Sequence, residues 1–214
     1  KDCMDKAKEE GHENQIYYVT DEKEQSQYIN MFKANGQDAI IMSHSIDNPF
    51  ISQEEQKHEN LKFLRIDADV NDTLREEVKE EDKEALKKQE ETLTETFKKA
   101  LGDDKLQVKV EKLKDAGISS MITLSEETRR MQDMMKMYNM GMDASMFGGS
   151  GQVLVLNANN KLVQYVLEHT DSENTPKICE QLYDLAQLSH GSLTPERMTK
   201  FIARSNEIMG MMLN

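Results

Sequence analysis

Cysteine is scarce in this sequence. The two present, Cys3 and Cys179, stand far apart. They form no CxxC or Cys/His spacing that would hold zinc, and no even-numbered framework of the kind that staples small secreted domains. A reducing cytoplasm is the expected compartment. Basic residues are in the minority: 27 Lys and Arg stand against 40 Asp and Glu, giving a net charge of −13 and a pI near 4.9. Such a surface argues against nucleic acid or anionic membrane as partners, since both carry its own sign of charge. No apolar run reaches the roughly 18 residues a membrane-crossing helix needs. Internal repeats are absent.

Recognisable catalytic chemistry is missing too. There is no GxxxxGK[ST], and the lone GGSG at Gly148–Gly151 lacks the strand–turn–helix context that cradles phosphate. No HExxH or GxSxG occurs. The histidines (His12, His44, His58, His169, His190) are scattered and read as surface or helix-end residues. Cys179 falls on the apolar face of a helix and reads as a buried, inert thiol. Asp103-Asp104 reads as helix-stop chemistry. The expectation is binding surfaces without a catalytic, cofactor or metal site. The 214 residues suffice for one or two domains, and 37% hydrophobic against 31% charged is polar but patterned enough to fold. Because the chain opens on Lys1, it reads as a piece of a longer polypeptide.

The first 70 residues alternate in type. Ile16–Thr20 (IYYVT) reads as a strand. A helix follows with Tyr28, Met31 and Phe32 on one face and Gly36 just past its end. Ala39–Ser43 (AIIMS) is a continuous apolar run, as in a buried parallel strand. Asn48-Pro49 reads as an N-cap and first helical position, opening a short helix through Phe50 and Ile51. Leu61–Ile66 (LKFLRI) is a third strand. This βαβαβ order predicts a parallel α/β layer, the end of a domain begun upstream, with a boundary near Asp67–Asp72.

Beyond it, Thr73–Leu101 reads as one long helix with Leu86, Leu93, Phe97 and Leu101 as its apolar stripe and a solvated run of charge opposite. Leu106, Val108 and Val110 alternate with polar residues, as in a half-buried strand. Ile118–Leu124 reads as its antiparallel neighbour across a turn containing Gly117. Gln152–Asn157 (QVLVLN) is a third, more fully buried strand. Leu162, Val163, Val166 and Leu167 mark a short helix. Thr175-Pro176 and Thr194-Pro195 then open two helices alike, each with a capping threonine and a proline in the first turn. The apolar face of the first is Ile178, Leu182, Leu185, Ala186 and Leu188. The second carries Met198, Phe201, Ile202, Ile208, Met209, Met212 and Leu213. The fold class is thus α/β (α+β), ending in a small mixed three-stranded sheet and an αα-hairpin. That hairpin could bury its seams on the sheet, or meet a second copy in an isologous four-helix bundle; a seam running to the last residues favours the copy.

The stretch MQDMMKMYNMGMDASMF (Met131–Phe147) concentrates seven of the chain's 15 methionines. Met131, Met134, Met135 and Tyr138 share one helical face. Met137 and Met140 fall off it, while Arg129, Arg130, Gln132, Asp133 and Lys136 argue against burial all round. Methionine suits a promiscuous surface because its unbranched, polarisable chain adapts to many shapes. The bland reading is core filler beneath a loop.

These elements, in this order, resemble the C-terminal part of the ninety-kilodalton heat-shock chaperone family (Hsp90), its bacterial branch most of all. IYYVT followed by GQDAIIMSHSID resembles the close of the family's middle domain, including the Ile46-Asp47 pair. ETLTETFKKALGDDKLQVKVEKL resembles the long helix and first strand of its C-terminal domain. LVLNANNKLV resembles its Leu-Asn-Pro-x-His motif, with Ala158 and Asn160 in place of the proline and histidine. The resemblance covers nearly the whole chain. It implies a middle-domain remnant at residues 1–70 and a dimerisation domain at 71–214. The last two helices would form the bundle of a homodimer through Ile178, Leu182, Leu185, Met198, Phe201, Ile202, Ile208, Met209, Met212 and Leu213. Met131, Met134, Met135, Met137 and Tyr138 would contact non-native client proteins. The family's ATP and magnesium site would lie upstream, so this fragment would not itself be an enzyme. The ending GMMLN, without the acidic peptide of eukaryotic cytosolic members, favours a bacterial type. Two other readings stay open: an oligomerising α/β fragment of an enzyme, and a purely structural α+β domain with its methionines in the core.

Overall fold

The computed structural model describes residues 14–44, 46–68, 74–124, 151–211 and 213. The chain divides into two compact units, Lys1–Asn71 with Leu124–Gly148 and Asp72–Thr123 with Gly149–Asn214.

In the first unit, β1 (Gln15–Val19), β2 (Ile40–Ile41) and β3 (Lys62–Arg65) form a sheet in the order β2-β1-β3. Both pairings are parallel, with Ile16 opposite Phe63 and Tyr18 opposite Ile40. Parallel neighbours require crossovers, and α1 (Ser26–Ala34) and α2 (Asp47–Lys57) supply them. The expected βαβαβ order is present. α1 buries Tyr28, Met31 and Phe32, the face its spacing predicted. Its end is set by Gly36, at φ +68°, where an L side chain would be strained. Gly36 N–H donates to Lys33 O and Gln37 N–H to Phe32 O, the paired bonds of a Schellman cap.

Two expectations fail in this unit. AIIMS is not a buried strand: β2 is two residues long and Ile41 is 59% exposed. β1 holds the centre of the sheet, and a strand at the edge has only one neighbour to cover it. α2 also starts at Asp47, ahead of Asn48-Pro49, and His44 N–H donates to the Asp47 carboxylate at 2.8 Å. At the end of β3, Arg65 and Asp67 make a buried two-pronged ion pair, Nε to Oδ1 at 2.5 Å and Nη2 to Oδ2 at 2.8 Å. Burial, and secondarily the Asp67 charge, raise the Tyr28 phenol far above its ordinary range, so it stays protonated.

The second unit is a sheet with helices packed on it. Its strands are β4 (Gln107–Glu111), β5 (Ser120–Leu124) and β6 (Gln152–Asn157), in the order β4-β6-β5. β4 and β6 run parallel, Val108 opposite Leu154 and Val110 opposite Leu156. The antiparallel β4–β5 neighbours predicted across Gly117 are therefore not formed. The apolar β6 takes the centre between the two strands adjacent in sequence, and β5, at the edge, is buried at every residue as well. α3 (Glu80–Leu101) buries Leu93 and Phe97 in the core with Leu86 and Leu101 alongside, as the stripe predicted. It begins later than expected. Arg75 bridges Leu113, Lys114 N–H donates to Leu74 O and Glu76 N–H donates to Lys112 O, so this stretch is committed to contacts that a helix could not keep. Gly102, at φ +64°, ends α3.

The helices that follow are α4 (Lys161–Glu168), α5 (Thr175–His190) and α6 (Pro195–Met211). The core between sheet and helices gathers Leu93, Phe97, Leu154, Leu156, Val163, Val166, Cys179, Leu182 and Ala186. Cys179 is fully buried there, and burial pushes its thiol up to about 12. The LNANN segment is a clamp. Asn157, with no exposed surface, accepts from Leu113 N–H and Asn159 N–H, and its amide donates to Asp115 O and Ile118 O. Asn160 caps α4 by accepting from Leu162 N–H at 2.9 Å, while its amide reaches Ala116 O. These bonds hold the backbone of the loop around Asp115–Ile118 against the turn, which explains an asparagine-rich turn in physical terms.

Candidate functional site on the terminal helix pair

α5 and α6 lie side by side, joined by a seam of charged and polar side chains. Arg204 is the one described residue of α6 that is buried, at 8% exposure. Its guanidinium reaches three acceptors on α5: Nε donates to Gln181 Oε1 at 2.9 Å, Nη1 to Glu180 Oε2 at 2.7 Å, and Nη2 to the Asp184 carboxylate. Asp184, itself buried, is also held by Arg197, whose guanidinium lies 4.8 Å above the Tyr183 ring. Gln181 donates to Ser205 Oγ at 2.9 Å, and Lys177 pairs with Glu207 nearer the end. Each buried charge therefore meets an opposite one with directed hydrogen bonds, the condition under which burying it is tolerable.

Helical geometry then sends the apolar residues outward. At about 100° per residue, Ile202 and Met209 stand roughly 160° and 140° around α6 from Arg204. Ile202 is 52% exposed, Met209 56% and Leu213 88%. On α5, Leu185 is likewise exposed, while Cys179, Leu182 and Ala186 face the core. Ile178, Met198, Phe201 and Ile208 are half-buried. Of the predicted interface residues, Leu182 must be withdrawn. At 1% exposure it belongs to the core and has no surface left for a partner. Met212 lies outside the described residues, as do Met131, Met134, Met135, Met137 and Tyr138 of the predicted client face. Leu185, Ile202, Met209, Met211 and Leu213 are left as exposed apolar side chains of this segment.

Thr194 acts as predicted, its Oγ1 accepting from Arg197 N–H at 3.4 Å. Thr175 does not. It is buried, and its hydroxyl donates back to His169 O, tying the end of α4 to the start of α5. The charged seam was missed from sequence, though its signal was there. Arg197 and Arg204 are seven apart, Glu180 and Asp184 four apart, and each pair shares one helix face. Among the described residues no three His, Cys, Asp or Glu gather closely enough to hold a metal ion. None of their helices is long and apolar enough to cross a membrane.

Comparison with known proteins agrees with this architecture. The family model described as Hsp90 protein matches residues 1–214. Chaperone protein HtpG of Bacteroides thetaiotaomicron is 34% identical over 173 residues, covering 77% of this chain and 25% of that protein. The HtpG of Bacteroides fragilis is 36% identical over 168 residues, 75% of this chain and 24% of its own length. That of Porphyromonas gingivalis is 29% identical over 177 residues, 80% of this chain and 25% of its own. The chain thus spans about a quarter of the length of the curated relatives it matches.

Proposed function

The chain belongs to the Hsp90 protein family, and from that premise we propose that it is the dimerisation and client-contacting part of an ATP-dependent molecular chaperone. Residues 1–70 are the close of the middle domain and 71–214 the dimerisation domain. The outer faces of α5 and α6 pair with those of a second copy in a four-helix bundle. The parent works in the cytoplasm, and its ATP and magnesium chemistry resides in the part of the protein upstream of this chain. Met131, Met134, Met135, Met137 and Tyr138 offer non-native proteins an adaptable apolar surface.

One observation carries the dimer: α6 turns an arginine inward and leaves Ile202 and Met209 outward. A helix that made its whole living in a monomer would do the reverse. Sedimentation of the 24.6 kDa chain over a wide dilution series tests it. A dimer that persists on dilution is the expected result, and a strict monomer at high concentration overturns the reading. Peroxide treatment tests the client face. Met134 and Met137 should convert to sulfoxide readily in the folded chain, and resistance would return them to the core.

A further inference from the structure

We propose that Arg204 is the positioning residue of this interface: by gripping three acceptors on α5 it fixes the rotation of α6 and so aims Ile202 and Met209 outward. The inference rests on the dimer reading above and adds the device that sets the interface. Three features of the seam carry it. First, Arg204 is the one described residue of α6 that is buried, while the apolar Met198, Phe201 and Ile208 are only half-buried, so the deepest anchor of the helix is the guanidinium. Second, the three bonds leave from three different nitrogens toward Glu180, Gln181 and Asp184, which lie on adjacent turns of α5. A planar fork held at three points resists rotation, whereas a single contact would act as a pivot. Third, Ile202 stands about 160° around the helix from Arg204, so pinning one inward obliges the other to face out.

A sliding apolar seam could settle in several rotations of similar energy. A buried ionic seam cannot, because each wrong rotation takes Arg204 away from the buried Asp184 carboxylate. Arg197 holds the second Asp184 oxygen and so keeps that carboxylate oriented for Arg204. The interface strip is thus set from within each subunit, before a partner arrives.

The test is a double-mutant cycle on the dimer dissociation constant of the full 214-residue chain, using Arg204→Met and Ile202→Ala. Methionine keeps the length of the arginine stem and removes the fork. Arg204→Met should raise the dissociation constant by about tenfold or more, with far-ultraviolet circular dichroism unchanged. Ile202→Ala should then weaken the Arg204→Met protein far less than it weakens the wild type, because a misaimed Ile202 has no contact to lose. Additive effects, or an unchanged dissociation constant in Arg204→Met, would overturn the positioning role while leaving the dimer intact. A wild-type chain that never dimerises would instead remove the reading on which the role rests, and the role with it. If Arg204→Met does not fold, the same cycle is run with Arg204→Lys, which keeps the charge but not the fork. Coupling to Ile202→Ala there supports the role, and additivity overturns it.

Discussion

α3 and α6 are built on opposite plans. α3 buries Leu93 and Phe97 and turns its charges to solvent, with Glu80, Glu81 and Asp82 at its start and Lys98 and Lys99 at its end to complement the helix dipole. α6 buries Arg204 and turns Ile202 and Met209 outward. Both helices are amphipathic, so the amphipathic pattern alone does not say which face meets the rest of the molecule. α3 is complete within one chain. α6 leaves Ile202 and Met209 exposed, and on the proposed reading a second copy covers them, which would separate a helix that builds the fold from one that presents a surface.

The largest effect that tests this contrast is expected in α3. Phe97→Ala removes a ring with no exposed surface, and should cost about 3–5 kcal/mol of stability, as large-to-small core changes do. Denaturant unfolding would measure it, and the loss should not depend on protein concentration. A loss that vanished on dilution would place Phe97 in an interface and break the contrast. A smaller effect, of a different kind, is expected in α6. Phe201→Ala with Ile202→Ala should weaken association by about 2–4 kcal/mol, as interface anchors do. At low concentration the same double variant should change the unfolding of the isolated chain little, since Ile202 is exposed and Phe201 only half-buried there. An unchanged dimer affinity would remove both residues from the interface.

The smallest expected effect per pH unit concerns α5, whose inner face is apolar and whose Glu180 and Asp184 meet α6. Cys179 lies on the inner face, with its thiol pushed up to about 12 by burial. The unfolded chain has an ordinary thiol near 8.5. Between those values the unfolded chain binds fewer protons than the folded one, so stability falls as pH rises through that window, by at most about 1.4 kcal/mol per unit from this group. Below the window its contribution is fully present. Unfolding curves of wild type and Cys179→Ala from pH 8 to 11 would show the difference in slope. Equal slopes would mean that the thiol is not shielded, and that the inner face of α5 is less closed than described.

Much of this was legible in the sequence, for local reasons. The face of α1 with Tyr28, Met31 and Phe32, and the stripe of α3 with Leu93 and Phe97, follow from spacing alone. Gly36 and Gly102 marked helix ends because their positive φ is cheap only for glycine. What failed depended on neighbours distant in sequence. Ile118–Leu124 follows the β4 strand closely, yet β6 comes between them, a pairing that closeness in sequence does not encode. Thr73–Lys79 has helix-forming residues, but Leu74, Arg75 and Glu76 are held by the chain around Leu113. At the candidate site, the exposed residues Leu185, Ile202, Met209 and Leu213 were identified as interface candidates, and Leu182 was wrongly grouped with them. A list of apolar positions on a helix does not distinguish the inner face from the outer when both carry hydrophobes.

The sequence by itself determined the alternation of strand and helix, the helix ends, the family, and the strongly acidic character, because each is written in local spacing, composition or motif order. Only the tertiary structure decided the strand order β4-β6-β5, the role of LNANN as a clamp, and which way α6 faces. Those depend on competition among distant segments for burial and on whether each buried charge finds its partner. Arg204 is an ordinary surface residue on paper. It becomes the inner face of α6 because Glu180, Gln181 and Asp184 wait for it across the seam.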